Sequence, residues 1–268
     1  MSFPFHKMEG TGNDFVVVYA SDLPAAAGPD AAIAICDRRR GVGADGVLVV
    51  GPPDADRVGS MTVWNSDGSV AEMCGNGLRC VAVRLVEDGA WTGGGSRVLG
   101  TDAGEVQATL TDLGVRVTLG TPRPGPTRTL STPLGPVTGH EVDMGNPHFV
   151  VFADDAAAGD LRAWGPHLSA DPVFTDGTNV EHVEVLDRST LRMRVWERGA
   201  GETEACGSGA CAAVVAARLQ GRIDSDVVDV HLSGGTLRIR WSGDGPASLE
   251  GPARTVFVGE WTDPGESK

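Results

Sequence analysis

Two short stretches, Cys74-Gly75-Asn76-Gly77 and Cys206-Gly207-Ser208-Gly209, each place a cysteine and a glycine-rich turn at the head of an apolar run. They lie about half a chain length apart in a protein of 268 residues, a spacing expected of two similar half-domains with one thiol each at the start of a helix. The first turn of a helix carries unpaired N–H groups and about half a positive charge. A thiolate placed there is stabilised, and cysteine pKa values in such settings fall from about 8.5 to roughly 3.5–7.5. The same N–H groups suit a carboxylate, and the glycines let the backbone approach it closely. Two such units facing each other across a cleft permit a two-base reaction. The thiolate of one cysteine removes the α-proton of an amino acid, and the thiol of the other returns a proton to the opposite face. The helix N–H groups stabilise the negative charge that builds on the carboxylate. No electron-sink cofactor is then needed, and the chain carries neither a Rossmann fingerprint nor a P-loop.

The elements that must position these thiols follow from pattern. Asp14 to Tyr19, Gly46 to Val50 and Ser60 to Trp64 are β-branched or apolar runs that read as strands. Pro29 to Arg38 reads as a helix with proline in its first turn. Leu78 to Glu87 reads as a helix ending before Gly89, and Val98 to Leu119 as two strands around a turn at Asp112 to Gly114. Gly120 to Pro126 is dense in proline and glycine and is expected to be a linker between the halves. In the second half, His148 to Phe152, Thr178 to Leu186, Leu191 to Trp196, Val227 to Leu232, Thr236 to Trp241 and Thr255 to Val258 read as strands. Gly159 to Leu168 and Ser208 to Leu219 read as helices, the latter ending before Gly221. The tail beyond about Glu260 is polar and reads as frayed. Both helices that follow the cysteine turns are apolar over most of their circumference, which marks them as buried. The expected fold is α/β of the α+β kind, two pseudo-symmetric half-domains, each a mostly antiparallel sheet wrapped around a central helix. The boundaries drawn on this basis give an N-terminal half at 1–119, a C-terminal half at 120–253, and a last strand at about 254–268 that can pack back on the first half.

Composition narrows the function classes. Hydrophobic content of 41% and charged content of 22% describe an ordinary globular chain, and a net charge of −14 argues against a nucleic-acid surface. No apolar run is long enough to span a bilayer and no secretory signal opens the chain. Five cysteines, Cys36, Cys74, Cys80, Cys206 and Cys211, in such a chain fit free thiols in a reducing cytoplasm. The spacings Cys74–Cys80 and Cys206–Cys211 lack the tight ligand pairs of a zinc site, so no metal is expected. Cys80, Cys211 and Cys36 read as small apolar core residues. His6, His140, His167, His182 and His231 have no motif around them and read as structural. A dithiol redox protein, with Cys74 and Cys206 cycling to a disulfide, is the reading that competes with acid–base chemistry.

Further blocks carry a resemblance. Lys7-Met8-Glu9-Gly10-Thr11-Gly12-Asn13-Asp14-Phe15, Asn65-Ser66-Asp67-Gly68-Ser69 leading to Met73-Cys74-Gly75-Asn76-Gly77, and Gly145-Asn146-Pro147-His148 occur in order. They are followed by Thr178-Asn179-Val180-Glu181 and by Glu197-Arg198-Gly199-Ala200-Gly201-Glu202-Thr203 leading to Ala205-Cys206-Gly207-Ser208-Gly209. Together, from about residue 5 to about residue 260, they resemble the diaminopimelate epimerase family. The two-cysteine turn alone is shared with proline racemases. The resemblance implies cofactor-independent interconversion of LL- and meso-diaminopimelate, on the bacterial route to lysine and peptidoglycan, by a homodimer. It implies Cys74 and Cys206 as the acid–base pair, with His148 and Glu197 tuning the thiols. Gly75, Asn76, Gly207 and Ser208 would hold the reacting carboxylate. Asn13, Asn65, Asn146, Asn179, Glu197 and Arg198 would bind the rest of the substrate. An arginine can grip a carboxylate bidentately and an asparagine amide both donates and accepts, so these types suit a second amino-acid group. Some members carry a glutamine where Gly46 stands here, and that contact is not carried over.

Overall fold

The computed structural model describes residues 2–262 and divides the chain into two compact units. The first takes the residues up to Val117 together with those from Gly251 onward, and the second is Thr118–Glu250. Both are mixed α and β, mostly sheet, with two helices each.

In the first unit β1 (Ser2–Gly10) and β2 (Asn13–Tyr19) form an antiparallel hairpin. Its two turn residues, Thr11 and Gly12, have φ of 58° and 83°, the left-handed pair that matches a two-residue hairpin to the sheet twist. The short helix α1 (Asp30–Cys36) carries the chain over to β3 (Gly46–Gly51), parallel to β2. Next, β4 (Gly59–Asn65) returns antiparallel and a two-residue β5 (Val70–Ala71) folds back on it. Helix α2 (Gly75–Glu87) then leads to β6 (Ser96–Thr101), parallel to β4, and β7 (Gly104–Thr111) and β8 (Gly114–Thr118) continue as a meander. Helix α2 packs against β1, β2, β3, β4 and β7, which explains its apolar circumference: Leu78, Cys80, Val81, Ala82 and Leu85 are all buried.

The second unit repeats the pattern. Strands β9 (Arg123–Thr132), β10 (Gly135–Asp143) and β11 (Pro147–Ala153) are successive antiparallel neighbours. Helix α3 (Leu161–Ser169) crosses over to β12 (Asn179–Asp187), parallel to β11. The antiparallel β13 (Thr190–Glu197) follows, with a three-residue β14 (Gly201–Thr203) folded on it. Helix α4 (Gly207–Leu219) leads to β15 (Val227–Leu232), parallel to β13, and then to β16 (Gly235–Arg240) and β17 (Ser248–Gly251). Every residue from Ala210 to Ala217 is buried, and α4 packs on β10, β11, β12, β13 and β16. The chain then re-enters the first unit as β18 (Arg254–Thr262), antiparallel to β1 and in contact with α2. Among the described residues no helix is long and apolar enough to cross a membrane.

Three expectations need correction. The Gly120–Pro126 stretch is not a linker throughout, because Arg123 already begins β9. Its pairing is with β10, and its exposed outer side tolerates Pro124 and Pro126, which have no N–H to give. Val98 to Leu119 holds parts of three strands, not two, because the chain reverses a second time between Thr101 and Gly104, where Gly104 has φ 115°. The end of the chain is ordered further than its polarity suggests. Strand β18 runs to Thr262 and buries Trp261 against Phe3 and Phe5 of the first core, while the remainder of the tail, 263–268, lies outside the described residues.

Charges at the β1–β2 hairpin tie the first unit together. Buried Lys7 reaches Asp14 and the Gly43 carbonyl, and Arg38 donates to Asp14 at 2.7 Å. Burial works against the Asp14 carboxylate, but the Arg38 guanidinium and the Lys7 ammonium outweigh it and hold its pKa down to about 2. A carboxyl depressed in the folded state contributes stability that is fully present above its ordinary value near 3.8 and is lost as pH falls toward 2. Asp14→Asn is therefore expected to lower stability at neutral pH, with the gap to wild type closing between about pH 4 and pH 2 in urea titrations. A gap that stays constant down to about pH 2 would contradict the linkage.

Candidate active site

Each cysteine of interest is the N-cap of a buried helix. Cys74 caps α2 with φ −142° and ψ 113°, and Cys206 caps α4 with φ −131° and ψ 110°, both in the extended conformation that an N-cap requires. The Cys74 sulfur accepts from the Gly77 N–H at 3.4 Å. The glycines at the third helical position have steric reasons. A Cβ on Gly77 would lie 2.9 Å from a Leu48 methyl, and one on Gly209 would lie 2.7 Å from Glu181 Oε1 and 3.2 Å from Cys206 Sγ.

Around Cys74 the first unit gathers amides. Asn76, in the first turn of α2, donates to Asn13 Oδ1 at 3.3 Å, and Asn13 Nδ2 donates to Asp45. Asn65 stands apart from this chain at the end of β4, where its amide donates to Ser69 Oγ at 2.8 Å and its backbone N–H to the Ser69 carbonyl at 2.8 Å. Gly46 lies opposite Asn65 in the β3–β4 register, and a Cβ there would stand 2.9 Å from the Trp64 carbonyl oxygen, so the backbone of β4 closes over this position.

Around Cys206 the second unit gathers acids. Glu197, at the end of β13, accepts from the Thr203 hydroxyl and from the Cys206 thiol. Glu181 and His148 are both fully buried, on the neighbouring strands β12 and β11, with Glu181 Oε1 2.6 Å from His148 Nδ1. His148 Nε2 meets Asn146 Oδ1 at 3.1 Å, Asn146 Nδ2 reaches Ser208 Oγ at 3.4 Å, and Ser208 Oγ is 3.6 Å from Cys206 Sγ. Asn179 is committed to the backbone on both sides, donating to the Pro147 carbonyl at 3.1 Å and accepting from the Arg198 N–H at 3.0 Å. The Arg198 guanidinium donates to the Asp176 carbonyl at 2.8 Å.

The lowered thiol pKa expected at a helix start is reversed at Cys206. Burial, and then the charges of Glu197 and Glu181, push the thiol well above its ordinary value; the Ser208 hydroxyl and the Gly209 N–H only partly offset them. Burial likewise raises the Glu197 carboxyl, against its hydrogen bonds from Thr203 and Cys206. Cys36 and Cys211 are buried thiols pushed up to about 11 and about 12, and Cys80 to about 12, as suits packing groups. Among the described residues no cluster of three His, Cys, Asp or Glu side chains is arranged to hold a metal ion.

Glu181, which no role read from the sequence includes, has its carboxylate beside His148, Gly209 and Cys206. The available signal was a carboxylate in the middle of a strand whose neighbours, Val180 and Val183, are core residues.

The chain matches a family model described as diaminopimelate epimerase over residues 5–124 and 141–256. It is 44% identical over 279 residues to a diaminopimelate epimerase of Synechococcus elongatus, covering 97% of this chain and 98% of that one. It is 43% identical over 282 residues to one of Moorella thermoacetica, covering 96% and 98%. Among solved structures it is similar to a PhzF-family phenazine biosynthesis protein of Bacillus anthracis, with TM-score 0.77 and 14% identity over 98% of this chain and 100% of that one. It is also similar to a hydroxyproline epimerase of Agrobacterium vitis, with TM-score 0.73 and 15% identity over 98% and 94%. At such identities the two structures speak to the fold.

The two glycine positions predict different tolerances. Gly77→Ala meets the free end of a leucine, which can shift, whereas Gly209→Ala meets a carboxylate held by His148. Gly209→Ala is expected to lower the unfolding free energy by about 1–3 kcal/mol despite alanine's better helix propensity, and Gly77→Ala by less. Urea unfolding of the two variants in parallel checks the order, and equal midpoints would contradict it.

Proposed function

The chain belongs to the diaminopimelate epimerase family, a family of isomerases, and from that premise we propose that it interconverts LL- and meso-diaminopimelate by a two-cysteine acid–base mechanism. The observation that carries the reading is that both cysteines are N-caps of buried helices whose first turns are glycine-rich, in two units of the same strand pairing. In one direction the Cys74 thiolate takes the α-proton, the C–H electron pair moves toward the carboxylate, and the Cys206 thiol delivers its proton to the opposite face. The reverse direction exchanges the roles. Burial and two flanking carboxylates favour the thiol at Cys206, which suits it to enter as the acid.

Glu197, which accepts from that thiol, and His148, linked to it through Asn146 and Ser208, tune the sulfur. The N-terminal turns of α2 and α4, through Gly75, Asn76, Gly207 and Ser208, hold the reacting carboxylate and stabilise its added charge. Asn13, Asn65, Asn146, Asn179, Glu197 and Arg198 bind the distal amino-acid group. Asn179 and Arg198 do so with the capacity left by their bonds within the protein. A site built to pair those distal polar groups leaves them unsatisfied with a shorter amino acid, which rejects it strongly. The chemistry takes no cofactor. The product serves lysine and peptidoglycan precursor supply in the cytoplasm, and the active species is a homodimer.

Purified enzyme in deuterated water is expected to place deuterium at the α-carbon of diaminopimelate and leave proline unlabelled. Label in proline alone would transfer the reading to the racemases that share the cysteine turns. A requirement for an oxidant or reductant as co-substrate would transfer it to dithiol redox chemistry. Cys74→Ala and Cys206→Ala are each expected to abolish epimerisation with the fold intact by circular dichroism. Turnover near wild type in either variant would sink the two-base mechanism.

A further inference from the structure

Arg79 lies on α2 one turn beyond Asn76 and is fully buried. Its three hydrogen bonds go to neutral acceptors: Nη1 to Asn76 Oδ1 at 2.8 Å, Nη2 to Thr11 Oγ1 at 2.8 Å, and Nε to the Pro252 carbonyl at 3.3 Å. Taking a guanidinium out of water costs several kcal/mol in real proteins, and a hydrophobic residue of similar volume would often serve stability as well. The surroundings are shaped to keep this one. Thr11, which receives Nη2, is held at φ 58°, a conformation rare for a β-branched residue. Gly10 leaves room beside the guanidinium, since a Cβ there would lie 3.2 Å from Nη2.

What the charge accomplishes follows from hydrogen-bond polarity. Arginine only donates, so the Asn76 amide must turn its oxygen toward Arg79 and its nitrogen toward Asn13. Asn13 then presents its oxygen to Asn76 and its nitrogen to Asp45, a carboxylate that only accepts. Asp45 is fixed in turn by Arg38 at 2.6 Å and by the Asp14 N–H at 3.1 Å. A donor-only residue at one end and an acceptor-only residue at the other leave one polarity for both amides. Flipping either would set two donors or two acceptors face to face. Each amide nitrogen has a second N–H beyond the bond that fixes it.

We propose that Arg79 is a positioning residue that commits the Asn76 and Asn13 amides to donate, so that each offers its remaining N–H to a carboxylate and neither accepts from an ammonium group. The inference rests on the assignment of Asn13 and Asn76 to the substrate. It adds what decides their sense: the buried guanidinium at the inner end, with Asp45 holding the outer end.

The test combines kinetics with unfolding on the full chain. Asp45→Asn alone is expected to raise KM for diaminopimelate less than about threefold, because Arg79 still sets the polarity. Arg79→Met, which keeps the polarity through Asp45 but leaves the Asn76 and Thr11 oxygens without their buried donor, is expected to raise KM about tenfold with kcat within about threefold, and Arg79→Lys to recover part of the loss, since an ammonium still donates to Asn76. Together, Asp45→Asn and Arg79→Met are expected to raise KM more than about a hundredfold, beyond the product of the single effects. A multiplicative result, or Lys no better than Met, overturns the positioning role. Asn76→Asp gives a second arm that needs neither substrate nor a folded Arg79→Met chain. It supplies Arg79 with a charged acceptor, whereas Asn13→Asp sets a second carboxylate against Asp45, so Asn13→Asp is expected to have the lower urea midpoint of the two; the reverse order overturns the polarity. A wild-type chain that fails to exchange deuterium overturns the epimerase reading and leaves the unfolding arm to decide the polarity by itself.

Discussion

A helix whose first turn is buried exposes N–H groups to an interior that cannot hydrate them, and both units are organised around that constraint. Helices α2 and α4 run through the middle of their sheets, so neither N-terminus can be satisfied by bulk water alone. The cysteine at each cap, the glycines after it and the polar side chains brought in from neighbouring strands all answer the same need. The two answers have opposite electrical character. At α2 the partners are amides backed by a buried guanidinium; at α4 they are two glutamates, a histidine and a serine. One strand pairing thus yields two unlike environments for the same functional group.

The repetition resides in backbone connectivity and the divergence in side chains. Strands β1–β7 with α1 and α2, and β10–β16 with α3 and α4, follow the same order of antiparallel return, parallel crossover, short return strand and buried helix. Helix α4 is richer in alanine than α2, with a run from Ala210 to Ala217 broken by Cys211, Val214 and Val215, so its backbone can lie close to the sheet. Helix α2 carries Arg79 and Arg84 on a buried surface, which demands polar partners from β1 and beyond.

Much of this was legible from residue types. The cysteine turns announced both helices, and β-branched runs such as Asp14 to Tyr19 announced their strands because their patterning is local. What escaped depended on partners distant in sequence. Ser2–Gly10 looks unlike a strand because of Pro4, yet Pro4 lies where β18 is the partner and β2 has not begun to pair. Gly120 to Pro126 looks like a linker because proline removes donors, and it is tolerated because one side of β9 is an edge. Arg79 and Glu181 carry ordinary surface chemistry in composition. Only the fold shows that both are buried, and burial of a charge is set by the whole surrounding unit.

The return of β18 to β1 has a consequence for how the molecule is made. Ser2 pairs with Thr262, so the first unit cannot close its sheet until synthesis has passed Thr262. The second unit is continuous in sequence and contains all its own pairing partners from β9 through β16. Synthesis ordinarily lets N-terminal domains fold first. Here the order is inverted: the later half of the chain can consolidate while the earlier half waits with an unpaired β1, exposed to the hazards that open strands carry during biogenesis.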